Sequence, residues 1–191
     1  MSASKWSLRA GVIVTATAVA LGATGGESTA AGPSQLTTSQ IRAALLTADQ
    51  AAAAASVTSL HADAQNSLGC GRQRGANWCQ RAYRSSASGL SPSAVSVWSF
   101  PTAKKAKGFL AQVANDRTNY FTVVVSANDR LVVTTMDGGD AGLPTDSGSV
   151  FMVRGVNVVG AVCERAARTD AKTALVACAR QVALAQTGRL R

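Results

Sequence analysis

The chain has 191 residues, of which 47% are hydrophobic and 15% charged, a composition that favours a packed domain over a disordered chain. Its 19 Lys and Arg outnumber its 10 Asp and Glu, and the resulting net charge of +9 attracts anionic partners. Basic charge alone also fits a role in solubility, and no nucleic-acid motif accompanies it, so nucleic acid is not an expected partner.

The first 31 residues have the three regions of a secretory signal peptide. Lys5 and Arg9 form a positive start, residues 10–23 are uncharged and apolar or small, and the small residues of "STAA" offer a cleavage site. The apolar run has 14 residues, fewer than the ~20 that a membrane-spanning helix needs. We therefore predict a signal peptide over 1–31 and a single secreted domain over 32–191, with no lipid-attachment cysteine and no stable membrane anchor after cleavage.

The secreted part is predicted to begin with a helix and an irregular segment. Thr37 and Gln40 fit a capping box at the start of the helix. Four apolar residues then recur at helical spacing on one face: Ile41, Leu45, Ala48 and Ala52. Residues 56–92 are poorly patterned and rich in Ser, Gly and Arg, which predicts a long irregular region.

The middle of the chain is predicted to fold as a strand, a helix and a hairpin. Residues 93–100 have strand character, and Pro101 ends them. Residues 102–117 place apolar side chains on one face and lysines outside, as an amphipathic helix does. Two β-branched runs, 120–126 and 130–136, flank "AND" and predict a hairpin.

The last third is predicted to contain a loop, a second hairpin and a terminal helix. Residues 137–148 are rich in turn formers, and 149–164 form a hairpin that turns at 154–157, where Gly155 can take a positive φ. Residues 167–188 form the helix. Consecutive hairpins and flanking helices predict an α+β fold, an antiparallel sheet of about five strands with helices packed against it.

The four cysteines of this exported chain predict two disulfides. They are Cys70, Cys79, Cys163 and Cys178. Proximity favours Cys70–Cys79 and Cys163–Cys178, and Cys178 shares the inner face of the terminal helix with Leu175, so that a strand-to-helix bridge is sensible. The sequence leaves the two crossed pairings open.

Several stretches resemble the PknH-like extracellular sensor-domain family of actinobacteria. They are "LLTADQ", "VSVWSFPTAKKAKGFLAQV", "MVRGVNVVGAVC" and the alanine-rich terminal helix, within a similarity that covers residues 37–187. The resemblance implies an α+β domain with a cleft beside the sheet, two disulfides and the binding of an extracellular ligand. The chain departs from the family at "NDRTNYF", where a cysteine is expected, and carries no kinase domain.

Catalytic and metal chemistry is not expected. His61 is the only histidine, no G-x-S-x-G motif accompanies it, and oxidised cysteines leave no thiolate nucleophile. The cysteines lack zinc-site spacing. Asp137, Asp140 and Asp146 lack the EF-hand pattern and are interpreted as turn residues. We predict a non-enzyme without catalytic residues, metal or cofactor.

The best binding hypothesis lies in and after "CGRQRGANWC". Four arginines fall within 13 residues, interleaved with aromatic side chains that can stack on a ligand, whereas guanidinium groups pair with phosphate or carboxylate. The candidate ligand-binding residues are Arg72, Arg74, Trp78, Arg81 and Arg84. The alternative interpretation is a solvated, arginine-rich loop.

These features predict a secreted, non-enzymatic sensor-type domain. Its partner would be a small molecule or an anionic cell-envelope polymer. The alternative function is a protein-interaction or protease-inhibitor-like module that presents the Cys70–Cys79 loop.

Overall fold

The computed structural model describes residues 34–57, 60–63, 68–85, 89–115, 122–128, 130–136, 145–166 and 172–190. Its helices are α1 (Thr38–Ala44), α2 (Ala48–Ala55), α3 (Ala103–Asn115) and α4 (Lys172–Gly188). Its strands are β1 (Leu60–Ala62), β2 (Gly69–Gln73), β3 (Ala76–Ser85), β4 (Ser91–Ser99), β5 (Thr122–Ala127), β6 (Leu131–Met136), β7 (Thr145–Arg154) and β8 (Asn157–Ala166). The predicted signal peptide lies outside the described residues.

The strands form one antiparallel sheet in the order β1-β3-β4-β8-β7-β6-β5, with β2 also paired to β3. β1 and β2 lie end to end along the same side of β3, because β1 pairs with its last residues and β2 with its first. The predicted α+β class with an antiparallel sheet is confirmed. The sheet has more strands than the expected five because residues before β4 also join it.

The helices cover both faces of the sheet. Neighbouring strand residues point to opposite faces. Within β8, Val159 belongs to the core beneath α1, α2 and α4, whereas Val158 belongs to the core beneath α3. Val133 and Val132 of β6 divide between the two cores in the same way.

The prediction of one long helix at the start of the domain is wrong, because the structure has two short helices there. α1 ends at Ala44, because the backbone of Leu45 is extended, and α2 begins after Thr47. The Thr47 side chain accepts from Gln50 N–H while the Gln50 side chain accepts from Thr47 N–H, a second capping box that starts a new helix. The chain therefore turns a corner between Ala44 and Thr47.

The prediction of a long irregular region over 56–92 is also wrong. β1, β2 and β3 lie within it. Each is specified by its partner rather than by its own pattern: β2 carries two glycines, and β3 has Arg81 between the buried Cys79 and Tyr83 on one face. Pairing with β4 orders β3, and β3 in turn orders the other two.

The predicted second hairpin is confirmed, and α4 packs closely against it. β7 and β8 turn through Gly155, which has φ 59°. A Cβ on Gly148 would lie 2.8 Å from the Cβ of Leu175, so only a glycine lets α4 approach β7 here. The Cys163–Cys178 disulfide, with Cα atoms 6.1 Å apart, joins β8 to the same helix.

Candidate functional site

The β2–β3 hairpin is closed by a cross-strand disulfide and a tight turn. Cys70 and Cys79 pair directly across the two strands, with Cα atoms 4.1 Å apart. Arg74 (φ 53°) and Gly75 (φ 77°) both have positive φ, as the central residues of a type I′ turn require. The pairing favoured by proximity is therefore confirmed for both disulfides.

The tip of this hairpin is held on both sides. Arg74 Nη1 donates to Gln112 Oε1 of α3 at 3.1 Å, and Gln35 Nε2 donates to the Gly75 carbonyl at 2.8 Å. Trp78 is half-buried, and its indole lies across Gly69 and Gly71 of β2. The loop is thus part of the folded sheet.

Arg81 stabilises the turn of the main chain between α1 and α2. Its Nη1 donates to the Leu46 carbonyl at 2.8 Å, and the Tyr83 hydroxyl donates to the same oxygen at 2.8 Å. Burial raises the pKa of Tyr83, and the nearby Arg81 only partly opposes this effect, so the phenol keeps the proton that it donates.

The other two arginines point to different places. Arg72 is exposed on β2, opposite Asn77, whose side chain donates to the Leu36 carbonyl beside α1. Arg84 Nε lies 3.3 Å from Asp63 Oδ1, and the Arg84 side chain is 68% exposed. The arginines therefore do not form a single patch, because Arg74 and Arg81 contact helices on opposite faces of the sheet.

A polar cleft lies where β3 and β8 end and β4 and β7 begin. Its volume is about 250 Å³, and its wall combines hydroxyls, two guanidinium groups and one carboxyl. Those side chains are Arg84, Ser85, Ser91, Ser93, Thr145, Glu164 and Arg165, together with Tyr83. Among the five candidate residues predicted from the sequence, Arg84 alone lines this cleft.

Glu164 is the distinctive group of the cleft. It is half-buried and pairs across the sheet with Ser91 of β4 and Ser147 of β7. Burial raises its pKa above the usual value, and a hydrogen bond from Ser93 opposes the rise. The carboxyl therefore takes up a proton more readily than an exposed glutamate does.

The sequence did not mark Glu164, Ser93 or Arg165 as site residues. The available signal was a carboxyl at the end of the apolar run "VNVVGAVCE", where most positions face a core. That signal does not show which strands would flank the carboxyl. Ser93 lies on β4 and Ser147 on β7, whereas Glu164 lies on β8. Only the register of these strands brings the three residues together.

A second cavity, of about 530 Å³, lies between α1 and the end of α4. Its wall is about equally polar and apolar, with Leu36, Gln40 and Leu190 among its residues. Arg189 also lines it, but Arg189 Nε donates to the Ala44 carbonyl at 2.9 Å and so supports the helix corner. The smaller cleft is chosen as the candidate site because a glutamate and two arginines, Glu164, Arg84 and Arg165, are among its lining residues.

The residues considered for catalysis or metal binding lie in different surroundings. His61 is exposed on β1, and the nearby Asp63 forms an ion pair with Arg84. Across the described ranges, no three His, Cys, Asp or Glu side chains lie together as a metal site would need. Asp137 and Asp140 fall outside these ranges, and Asp146 lies in β7.

The described helices include none that is long and apolar enough to cross a membrane.

Comparison with known proteins gives a likeness of fold. The chain is similar to the crystal structure of the extracellular domain of PknH from Mycobacterium tuberculosis, with a TM-score of 0.52 over 82% of this chain and 97% of that one. The two share 14% sequence identity, so the likeness shows the fold alone. No protein-family model matches the sequence, and no curated protein matches it either.

Proposed function

We propose that the chain is a secreted, non-enzymatic sensor-type domain that binds a small polar ligand in the cleft at the ends of β3 and β8. The observation that carries the proposal is the convergence of Arg84, Arg165, Ser93 and Glu164 on one cavity of about 250 Å³. Residues that carry donors and an acceptor thus line one small cavity.

Secretion is supported by the cysteines and the fold. Both disulfides are formed and no free cysteine remains among the described residues, as suits an oxidising compartment. The fold is similar to that of the extracellular domain of PknH. The signal peptide over 1–31 stays a prediction.

The alternative function, a protein-interaction or inhibitor-like module that presents the Cys70–Cys79 loop, also stays a prediction. The hairpin tip is fixed by Gln112 and Gln35, which suits a rigid recognition surface. Nothing in the described ranges identifies a partner for it, and the polar cleft has the more specific set of groups.

The proposed function is tested by localising ligand binding. The ¹⁵N-labelled chain is titrated with small polar probes of both charges and neutral sugars while amide shifts are recorded. We expect the shifts of at least one probe to centre on Ser93 and Glu164, and Ser91→Phe to abolish them by filling the cleft.

The matched control is Ser39→Phe, which places the same side chain on the exposed surface of α1. It should leave the titration unchanged. Shifts centred on the Arg72–Arg74 hairpin, or the absence of localised shifts with every probe, would overturn the assignment of the cleft, and neither outcome depends on the Ser91 variant folding.

A further inference from the structure

We propose that the end of the sheet opposite the polar cleft is a basic docking surface for an anionic phospholipid bilayer. The cleft lies where β3 and β8 end, whereas the docking surface lies where β4 and β7 end and β3, β6 and β8 begin. The inference therefore concerns a different surface from the proposed function and does not depend on a ligand in the cleft. The basic side chains of the docking surface are Arg72, Lys104, Lys105, Arg130, Arg154 and Arg189.

Three connections between strands bring arginines to this end. Arg72 lies in the β2–β3 hairpin close to its turn, and Arg154 is the last residue of β7 before the β7–β8 turn. Arg130 directly precedes β6, and its carbonyl accepts from Val153 N–H at 2.9 Å, which places it beside the end of β7. All three arginine side chains are exposed. They span the strands from β2 to β6, a width of about 24 Å at the usual strand spacing.

The start of α3 adds two lysines on one side of the sheet. Phe100 N–H donates to the Val156 carbonyl of the β7–β8 turn at 2.9 Å, and α3 begins three residues later. Lys104 and Lys105 are exposed in its first turn. Because the N-terminus of a helix also attracts negative charge, the lysines and the helix dipole favour an anion at the same place.

The end of α4 adds an arginine on the other side of the sheet. Arg154 Nη1 donates to the Thr187 carbonyl at 2.6 Å, so the last turn of α4 lies beside the β7–β8 turn. Arg189 follows the helix directly and is exposed. These two guanidinium groups offset the negative end of the α4 dipole. The positive charges therefore extend across three layers: α4, the sheet and α3.

The acidic side chains of the described sheet lie at its other end. Asp63, which follows β1, is paired with the end of β3, while Asp146 and Glu164 lie at the start of β7 and the end of β8. Asp49 lies in the first turn of α2. Asp129 is outside the described residues, but its place in the β5–β6 connection makes it one negative charge to set against the basic ones. The docking surface keeps a clear excess of positive charge.

A bilayer fits this surface better than a linear polyanion does. The basic side chains are spread in two directions, along the row of strand ends and across the three layers, whereas a linear polymer would follow one row. The described chain also begins at this end, because Gln35 Nε2 donates to the Gly75 and Ser99 carbonyls at 2.8 Å. The predicted signal peptide, which directs the chain to a membrane, precedes this point in the sequence.

Docking through this surface leaves the candidate cleft open. β7 and β8 each have 10 residues and connect the two ends of the sheet, which are therefore about 30 Å apart. A chain that rests on a bilayer with its basic end thus presents the cleft to the solvent, where a soluble ligand can enter it.

Co-sedimentation with vesicles tests the surface. The chain should bind vesicles of phosphatidylglycerol and phosphatidylcholine in equal parts, should not bind phosphatidylcholine alone, and should be released as added salt screens the charges. Arg130→Gln with Arg154→Gln should weaken binding by at least about tenfold, because each basic residue near an anionic membrane contributes a factor of about five.

The matched control is Arg165→Gln with Arg180→Gln, which removes the same charge at the cleft end of β8 and in the middle of α4. It should weaken vesicle binding by no more than about twofold, since charges farther from the membrane than a Debye length are screened. Equal losses in the two double variants would overturn the inference. So would binding to dextran sulfate, a linear polyanion, without retention on the anionic vesicles.

The orientation on the bilayer is measured with the unchanged chain, so that no outcome depends on a variant folding. A lipid that carries a gadolinium chelate, placed in nanodiscs of the same composition, should broaden the amide signals of Arg130 and Gly155 most and those of Ser93 and Glu164 least. Broadening centred on the cleft end would overturn the inference. Failure of every small probe to bind in the cleft would overturn the proposed function and leave this result unaffected.

Discussion

Arg81 and Glu164 are both charged residues of the sheet, but their side chains have different roles. Arg81 belongs to the candidate binding residues, yet its guanidinium bonds the Leu46 carbonyl and supports the main chain. Glu164 has no such structural hydrogen bond from the backbone among those observed, and it lines a cleft. The role of each residue follows from its partners, which the residue type alone does not give.

At the residue scale, we predict that Glu164→Gln stabilises the protein at neutral pH. Burial raises the pKa of Glu164 in the folded state above its usual value of 4.5. The folded protein therefore binds the proton more tightly than the unfolded chain, and the resulting stability is present below pH 4.5 and lost as the pH rises through the folded-state pKa.

Thermal unfolding from pH 4 to pH 8 measures this effect. The melting temperature of Glu164→Gln should exceed that of the unchanged chain at pH 7, and the difference should shrink towards pH 4. Asp49→Asn, in the exposed first turn of α2, should gain no stability at pH 7. A difference that does not vary with pH would contradict the prediction.

At the scale of elements, the corner between α1 and α2 is held by side chains from distant parts of the chain. Gln186 of α4 is fully buried, accepts from Leu46 N–H at 2.9 Å and donates to the Ala44 carbonyl at 3.0 Å. Arg81 and Tyr83 of β3 bond the Leu46 carbonyl from the other side. These bonds fix two short helices that share no continuous backbone hydrogen bonding.

We predict that Gln186→Met destabilises the fold by roughly 1–3 kcal/mol, because methionine fills the space but leaves the Leu46 N–H without its acceptor. Urea unfolding measures the change. Gln181→Met, on the exposed side of the same helix, should change stability by no more than about 0.5 kcal/mol. Equal effects of the two variants would show that the corner does not depend on this amide.

At the scale of the whole molecule, the net charge is +9, and the described arginines of β3 and its hairpin lie on both faces of the sheet. Arg74 points towards α3, Arg81 towards α1 and α2, and Arg84 towards the cleft. The exposed lysines Lys104 and Lys105 lie on α3. A surface of this kind attracts many kinds of anion. The β2–β3 hairpin, which the Cys70–Cys79 disulfide closes, holds Arg72 and Arg74 in fixed places.

We predict that Arg72→Ala with Arg74→Ala lowers retention on anionic phospholipid vesicles severalfold more than Lys104→Ala with Lys105→Ala. Arg74 is already held by Gln112, so contacts through it cost less conformational entropy than contacts through the exposed lysine side chains of α3. Co-sedimentation at low and at physiological salt measures both pairs. Equal losses would mean that the hairpin acts only as part of a diffuse positive field.

The sequence by itself determined the features that depend on near neighbours. The α+β class and the β7–β8 hairpin with its turn at Gly155 follow from periodicity and turn residues, and the spacing of the cysteines favoured the two disulfides that the structure has. The break before α2 was also readable, since Thr47 and Gln50 have the spacing of a capping box. Local patterns suffice here because each interaction joins residues close together in the chain.

Only the tertiary structure decided what depends on pairing between distant segments. β1, β2 and β3 are strands because of their partners, and the arginines of β3 and its hairpin are divided between two faces by strand alternation. The cleft exists because the register places Ser91 and Ser147 beside Glu164. A composition rich in arginine cannot specify where its charges meet, since that depends on strand order and register.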